Sequence, residues 1–425
     1  MTMQRIFMKE LYTKFKNAFF DVGTIDTKHI DVLDGIRALA VLIVVWFHFW
    51  QQSWLWAYTE KDALEGIGIM DANIDWLAVN GYVFVDMMIL LSGFLLFLPH
   101  ARQMVEGAKK PDIPDFYARR VARIFPSYYL CILVFALFFV TVSQYQNSGA
   151  YLKDLFAQIS FTQMFRPETY MYSNFNRALW TVSVEMLFYL IFPLVAWVFK
   201  KAPLLTYLGM CGCSWLYFVK VVMPAENIGM VLNQFPSFLC VYANGMMAAY
   251  IFVYLANNVK HNKITGIFFT GIAFFALYLI RYMIKYDLHT TNSADKQFWQ
   301  VQSRFALSLV FVMLIIGAAF AFKWFRWIFG NRVMRFLSAI SFNLYIWHQF
   351  IAVKLKEWKI PYWEVAEGEI PQAVMGTKWQ VLYFFISLLA SLAVATVLTY
   401  FFEKPVDKLI MKGYRKLRGM LTKKG

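Results

Sequence analysis

The sequence predicts an all-α membrane protein, a bundle of about ten transmembrane helices with both termini in the cytoplasm. Of its 425 residues, 60% are hydrophobic and only 16% are charged, whereas a soluble domain has about 45–50% apolar and about 25% charged residues. The chain also contains ten apolar stretches near the length of about 20 residues that a bilayer-spanning helix requires. A third observation, the distribution of lysine and arginine, gives the orientation.

The ten predicted spans lie within residues 31–408, which form one helical domain. Residues 1–30 are a basic segment in which Phe7, Leu11, Phe15 and Phe19 recur every four residues, a pattern that favours an amphipathic helix on the membrane surface over a disordered tail. Residues 409–425 are predicted to be a basic cytoplasmic tail. The predicted spans are 33–54, 78–99, 123–143, 178–199, 203–223, 231–256, 264–283, 303–322, 333–354 and 380–402.

The positive charge is concentrated on one side of these spans. If the N-terminus is cytoplasmic, the inner segments contain about twice as many of the 41 lysines and arginines as the outer ones, as the positive-inside rule requires. This rule accounts for the net charge of +15, so no nucleic-acid partner is expected. The four cysteines lie in apolar stretches and indicate neither a disulfide framework nor a metal site.

Arg37 and His48 both lie in the first predicted span, where a charged group costs roughly 2.5–3.5 kcal/mol. Eleven residues bring them to the same helix face, about 16–17 Å apart along the axis. That arrangement suits a long substrate with an anionic part at the inner surface and a reactive end near His48. Alternatively, His48 only bonds a neighbouring helix and Arg37 pairs with Asp34, which is otherwise expected to cap the helix.

Two carboxylates lie inside later spans. Glu185, two residues after Ser183, can reach His48 by depth, and a carboxylate on one ring nitrogen would make the other a better base. Asp86 lies mid-span, six residues before Ser92. The alternative for these groups is a satisfied contact between helices.

Two further patterns concern the third and ninth spans. Arg120 and Arg123 lie three residues apart on one helix face, and arginine side chains suit phosphate oxygens. On its own this pattern is also typical of a positive-inside anchor. Ser341, Tyr345 and His348 form one polar stripe on an apolar helix, which indicates either a site or hydrogen bonds between helices.

Taken in order, these motifs resemble the acyltransferase-3 family of membrane proteins. The similarity extends from about residue 31 to residue 408. The sequence departs from the family pattern at residues 87–89 and at Met186 and Leu187, where relatives often have an acidic residue and a glutamine. The matching motifs are Leu33–Arg37 with His48, Phe84–Asp86 with Leu91–Phe94, Arg119–Pro126, Leu179–Glu185 with Tyr189 and Pro193, Ser341–His348, and Glu403–Pro405.

The resemblance implies transfer of an acyl group, usually acetyl, from cytoplasmic acyl-CoA to a hydroxyl of a sugar, envelope glycan or glycolipid. It implies catalytic roles for His48, Glu185 and Arg37, and donor binding by Arg37, Arg120 and Arg123. The bacterial cytoplasmic membrane, its lipids and envelope-biosynthesis proteins would be the surroundings and partners, with no metal. Either the acceptor attacks the donor directly or an enzyme-bound acyl intermediate forms.

Two other function classes fit part of the pattern. A secondary transporter or flippase for a glycan precursor would use intramembrane charged groups for proton coupling. Such transporters often show inverted repeats and broken helices, and no internal repeat is visible in the sequence. A scaffold or sensor protein would not need Arg37 and His48 on one helix face.

Overall fold

The computed structural model of the chain describes residues 19–53, 74–292, 295–364 and 377–422. Within these ranges the chain is helical and forms no strand, which confirms the predicted fold class. Ten of the described helices are long and apolar enough to cross a membrane, and each overlaps one predicted span. The protein is therefore a multi-pass membrane protein. The predicted amphipathic repeat of Phe7, Leu11 and Phe15 lies outside the described residues.

The principal helices are numbered in chain order. α4 does not span, and α12 continues the tenth span, which begins with α11. They are α1 Asp31–Ser53, α2 Phe84–Glu106, α3 Ile113–Phe138, α4 Ser148–Ile159, α5 Trp180–Lys201, α6 Pro203–Tyr217, α7 Leu239–Asn258, α8 Lys263–Arg281, α9 Lys296–Phe320, α10 Arg332–Glu357, α11 Thr377–Val397 and α12 Lys404–Thr422. Shorter helical segments are Asp75–Val79, Gly81–Val83, Val142–Gln144, Gln163–Phe165, Pro167–Tyr170, Arg177–Leu179, Ile228–Val231, Phe235–Phe238 and Lys323–Gly330. Wider π-helical turns occupy Phe218–Val222, Tyr282–Leu288 and Leu398–Glu403.

Several helix starts follow directly from local sequence. The side chain of Asn147 caps α4 by accepting a hydrogen bond from the Ala150 amide at 2.9 Å. Asn262 caps α8 in the same way, accepting from the amides of Ile264 and Thr265 at 2.9 and 3.1 Å. Such caps satisfy amides that have no partner within the helix.

Some helices extend beyond the apolar stretches that predict them, because a helix continues into the polar region beside a bilayer. The third span begins at Ile113, and α12 carries the chain helically to Thr422. The predicted basic tail is thus helical over its described part and packs on the start of α3. Asp115 accepts hydrogen bonds from the Tyr414 hydroxyl at 2.8 Å and from Arg418 at 2.5 Å.

The chain divides into two compact units. Over the described residues, the first contains residues 19–40, 86–109 and 240–338, and the second contains residues 41–85, 110–239 and 339–422. In the first unit α2 and α7 approach closely at two glycines. A Cβ atom on Gly93 would lie 2.8 Å from the carbonyl oxygen of Tyr242, and one on Gly245 would overlap the carbonyl oxygen of Leu90. Small residues of this kind let helix backbones pack tightly in a membrane.

Gly245→Ala should therefore destabilise the protein, because the added methyl group meets backbone atoms that cannot move without separating the two helices. Overpacking of this kind costs about 1–3 kcal/mol. Gly212→Ala on α6 is the matched control, since a Cβ there has no neighbour within 4 Å. The measurement is the melting temperature of detergent-purified protein by size-exclusion chromatography. Equal melting of the two variants would contradict this account of the crossing.

In the second unit the end of α1 is held by two other helices. The Nζ atom of Lys356 on α10 donates to the carbonyl oxygen of Gln52 at 2.7 Å, and Nε2 of Gln380 on α11 donates to that of Ser53 at 2.9 Å. These bonds satisfy carbonyls that the last turn of a helix leaves open. Lys356 lies near the C-terminal end of α10, and it contacts the C-terminal end of α1, so the two helices run in the same direction. This agrees with the prediction, because the first and ninth of a series of spans that alternate in direction cross the membrane the same way.

The segment between α3 and α5 contains α4 and a buried polar network. Asp154 accepts hydrogen bonds from the hydroxyls of Tyr145 and Ser173, both at 2.8 Å, and from Gln158 at 3.2 Å. Burial raises the pKa of Asp154 above its ordinary range, although these bonds act in the opposite direction. The network fixes α4 against the polar segment that follows it.

Candidate active site

The second unit contains most of the predicted site residues. His48 is on α1, Arg120 and Arg123 are on α3, Ser183 and Glu185 are on α5, and Ser341, Tyr345 and His348 are on α10. Arg37, Asp86 and Ser92 belong to the first unit. One continuous helix, α1, carries Arg37 and His48, as predicted.

His48 is partly exposed, and its ring bonds another histidine. Its Nδ1 atom lies 2.9 Å from the carbonyl oxygen of Val44 and 3.1 Å from Nε2 of His348. The ring of His348 is fully buried. The sequence pattern indicates both histidines but not their pairing, because spacing along one helix says nothing about which residue of a distant helix faces it.

Glu185 is half-buried on α5 and accepts a hydrogen bond from the Tyr189 hydroxyl at 3.1 Å. It also lies close enough to Tyr345 to interact with it electrostatically. The sequence predicts that this carboxylate bonds the ring of His48. In the structure, His348 bonds that ring instead. Equal depth in a bilayer allowed the pairing but did not specify the rotation of α5.

Arg120 has a flat, enclosed guanidinium group. Its Cζ atom lies 5.6 Å from the centre of the Phe116 ring and 5.5 Å from that of Tyr189. Among the residues that the structure describes, its buried Nε has no hydrogen-bond partner. Arg123, one turn later, is exposed. A cation held between rings with an unused N–H group is well arranged to bind an anionic oxygen.

The predicted polar stripe on α10 is buried along its whole length. Ser341 and Tyr345 are each 4% exposed, and the Tyr345 hydroxyl is within hydrogen-bonding reach of Thr181 on α5. Ser183, also on α5, is buried beside the Tyr128 hydroxyl. Tyr345 thus lies beside α5, whereas Ser183 of α5 lies beside Tyr128 of α3, so the stripe occupies a buried contact between helices.

A second polar cluster on α10 does not follow from the sequence pattern. Nδ2 of Asn343 donates to the Thr399 hydroxyl at 2.9 Å and to Glu403 at 2.5 Å, and the Ser127 hydroxyl donates to Glu403 at 3.2 Å. Thr399 and Glu403 belong to the π-helical turn before α12, and such turns often occur at functional sites. The family motif Glu403–Pro405 thus anchors the last span to α3 and α10.

Asp86 pairs with Arg304 inside the first unit. Nε of Arg304 lies 3.0 Å from Oδ2 of Asp86, and each side chain is 1% exposed. The sequence pattern does not single out Arg304, because the predicted eighth span begins at residue 303, which puts Arg304 at the boundary of the bilayer. The helix begins at Lys296 instead, which brings Arg304 two turns into the span.

The start of α1 corrects the predicted role of Asp34. The helix begins at Asp31, so Asp34 lies within its first turn and does not cap it. Its Oδ1 accepts a hydrogen bond from the Ser338 hydroxyl at 3.0 Å. Asp34 also has ligand atoms within 4.8 Å of His29 and Asp31, but those two side chains are exposed and bond each other at 2.9 Å.

Comparison with known proteins agrees with these motifs. Residues 30–400 match the family model of acyltransferase-3, described as an acyltransferase domain. The O-acetyltransferase OatA of Staphylococcus aureus (strain NCTC 8325 / PS 47) is 22% identical over 94% of this chain and 60% of its own length. The chain thus spans about 60% of the length of this relative. No solved structure matches the chain.

Two further relatives have related names. A putative acetyltransferase, ORF330 of Acidianus two-tailed virus, is 22% identical over 79% of this chain and 87% of its own length. The acyltransferase MdmB of Streptomyces mycarofaciens is 28% identical over 48% of this chain and 47% of its own length. Because the family match covers far more than half of the residues, the chain belongs to the acyltransferase-3 family of membrane proteins.

Proposed function

We propose that the protein is a membrane O-acyltransferase. It moves an acyl group, most simply acetyl, from cytoplasmic acyl-CoA to a hydroxyl of a sugar, envelope glycan or glycolipid. Family membership and the names of the relatives support the reaction class. The observation that carries the proposal is His48, a partly exposed imidazole within a membrane-spanning helix of the unit that also contains the enclosed cation of Arg120.

The proposed reaction uses His48 as a general base. The acceptor hydroxyl gives its proton to the imidazole while its oxygen attacks the thioester carbonyl carbon. The carbon–sulfur bond then breaks, and the CoA sulfur leaves as a thiolate that takes the proton from His48. The products are the acylated acceptor and CoA with a free thiol, so the histidine returns to its starting state. A positioned base of this kind contributes about 10²–10⁴-fold to rate.

The donor would be held by its phosphates. Arg120, enclosed by two aromatic rings, presents an N–H group that a phosphate oxygen can accept from, and Arg123 adds an exposed cation one turn away. Arg37 remains a proposed donor ligand, and Glu185, beside Tyr189 and near Tyr345, a proposed catalytic residue. No step in this scheme needs a metal.

A test of the function uses purified protein with acetyl-CoA and a panel of sugars, glycans and glycolipids. Release of CoA thiol that depends on an acceptor, together with an acetylated product identified by mass spectrometry, is the expected result. Vectorial uptake of a glycan precursor into vesicles without any turnover would instead support a transporter. Acceptors extracted from cells with and without the gene would then identify the natural one.

Arg120→Ala should weaken acyl-CoA binding by about tenfold to a hundredfold, because a hydrogen bond to a charged group contributes about 1.5–3 kcal/mol. Arg119→Ala is the matched control, since it removes the same charge from the same helix turn but Arg119 is exposed and bonds Asp115. The measurement is the Kd for CoA by calorimetry in detergent. Equal weakening by both changes would indicate a general charge effect and not a phosphate site.

The proposed location is the bacterial cytoplasmic membrane, with both termini inside, where envelope-biosynthesis proteins would supply or receive the acceptor. In a variant without its native cysteines, a cysteine at exposed Tyr172 should react with an impermeant maleimide on intact cells. A cysteine at exposed Lys260 should react only after permeabilisation. Labelling of residue 260 in intact cells would contradict the proposed orientation and indicate the opposite one.

A further inference from the structure

Two histidine rings of the second unit face each other across α1 and α10. Nε2 of His348 lies 3.1 Å from Nδ1 of His48, and the ring centres are 4.9 Å apart with their planes at 65°. The His348 ring also packs near Tyr345 and Phe49, at centroid distances of 5.7 and 6.4 Å. The buried ring is therefore held in one orientation, and the contact joins specific nitrogen atoms.

Backbone carbonyls decide where His348 carries its proton. Its Nδ1 atom lies 2.7 Å from the carbonyl oxygen of Tyr345 and 3.1 Å from that of Leu344. A carbonyl oxygen can only accept a hydrogen bond, so Nδ1 of His348 is the protonated nitrogen. In the neutral ring, Nε2 then has an unshared lone pair, and this is the atom that faces His48.

The same reasoning applies to His48. Its Nδ1 atom lies 2.9 Å from the carbonyl oxygen of Val44, and its other neighbour is the lone pair on Nε2 of His348. Both neighbours accept, so Nδ1 of His48 is protonated and is shared between them. The remaining nitrogen, Nε2, is then unprotonated on a ring that is partly exposed.

We propose that His348 is a positioning residue that fixes the tautomer of His48 and leaves Nε2 of His48 as the basic atom. This inference rests on the function proposed above. When Nε2 of His48 takes the acceptor proton, the ring becomes a cation. Its Nδ1–H remains bonded to Val44 and to His348, two neutral acceptors that stabilise the positive charge until the proton passes to the CoA thiolate. His348 itself keeps its proton throughout.

Two substitutions at residue 348 separate this role from simple packing. The terminal amide of glutamine reaches about as far as Nε2 of histidine, whereas that of asparagine ends near Nδ1. His348→Gln can therefore still offer an acceptor to His48, and His348→Asn cannot. We expect His348→Gln to keep kcat within about tenfold of the wild type and His348→Asn to lose about 10²-fold. Neither variant should change the Kd for acyl-CoA.

A second measurement does not depend on activity. NMR of the full-length protein with isotope-labelled histidine, assigned with His48→Gln, reports which ring nitrogen is protonated. We expect the Nδ1–H form for His48 in the wild type and a larger Nε2–H fraction in His348→Asn. An Nε2–H form in the wild type, or equal turnover by the glutamine and asparagine variants, would overturn the proposal. Wild type that turns over no acyl-CoA would instead refute the proposed function, and the NMR result would still decide the histidine arrangement.

Discussion

His48→Ala should lower turnover by about 10²–10⁴-fold while acyl-CoA binding remains near that of the wild type. The expectation follows from the separation of the two proposed tasks within the second unit. The enclosed cation of Arg120 is available for phosphate, whereas His48 bonds only Val44 and His348 among the described residues and has a partly exposed ring. Removing the imidazole therefore removes the base and leaves the donor ligands intact.

Three measurements define the outcome for this variant. The initial rate of CoA release gives turnover, calorimetry gives the Kd for CoA, and size-exclusion chromatography shows that the protein is folded. His261→Ala is the matched control, because among the described residues His261 hydrogen-bonds only a backbone carbonyl, that of Ala256 at 3.0 Å, outside the second unit. Full activity of His48→Ala would falsify the proposed base, and loss of CoA binding in folded protein would reassign His48 to donor binding.

Breaking the buried pair of Asp86 and Arg304 should cause the largest loss of stability of any change considered. Each side chain is 1% exposed and their charged atoms are 3.0 Å apart. Removing one partner of such a pair leaves an uncompensated buried charge and costs about 3–5 kcal/mol. Asp86→Leu and Arg304→Met should each lower the melting temperature and the yield of inserted protein. The double variant should recover much of the loss, because no charge is then left unpaired.

The control for this buried pair is an ion pair at the protein surface. Lys153 and Glu168 lie 3.6 Å apart and are exposed, so Lys153→Met should change stability by less than about 1 kcal/mol. Melting curves of the four variants in the same detergent, with the double variant completing a mutant cycle, give the coupling between Asp86 and Arg304. A double variant as unstable as the sum of the two single changes would mean that the residues do not act as a pair.

The sequence predicts the number and order of the spans well, because bilayer thickness imposes a length that apolar stretches must meet. It predicts helix ends less well, since nothing in an apolar stretch marks where the helix continues into the polar region. For this reason the sequence does not predict that Arg304 is buried. The residue appears to lie at the edge of the bilayer, but it is two turns inside α9.

The sequence also could not predict which side chains on distant helices contact each other. A polar stripe fixes which residues share a face, as on α10, but not which helix that face meets. His348 therefore appeared as one member of a stripe, and Glu185 was expected beside His48. The structure places Glu185 with Tyr189 and brings His348 to His48. The choice depends on how each helix is rotated, which tertiary packing decides.

The anchoring of the end of α1 by Lys356 and Gln380 fixes how deeply an acceptor must insert to reach His48. His48 is five residues before Ser53, the last residue of that helix, which is only about 7–8 Å along the axis. In the proposed topology that end faces the outside of the cell, so the acceptor needs to insert little more than one hydroxyl-bearing ring. Long polymers and short oligosaccharides with the same terminal sugar should then be acylated at similar rates.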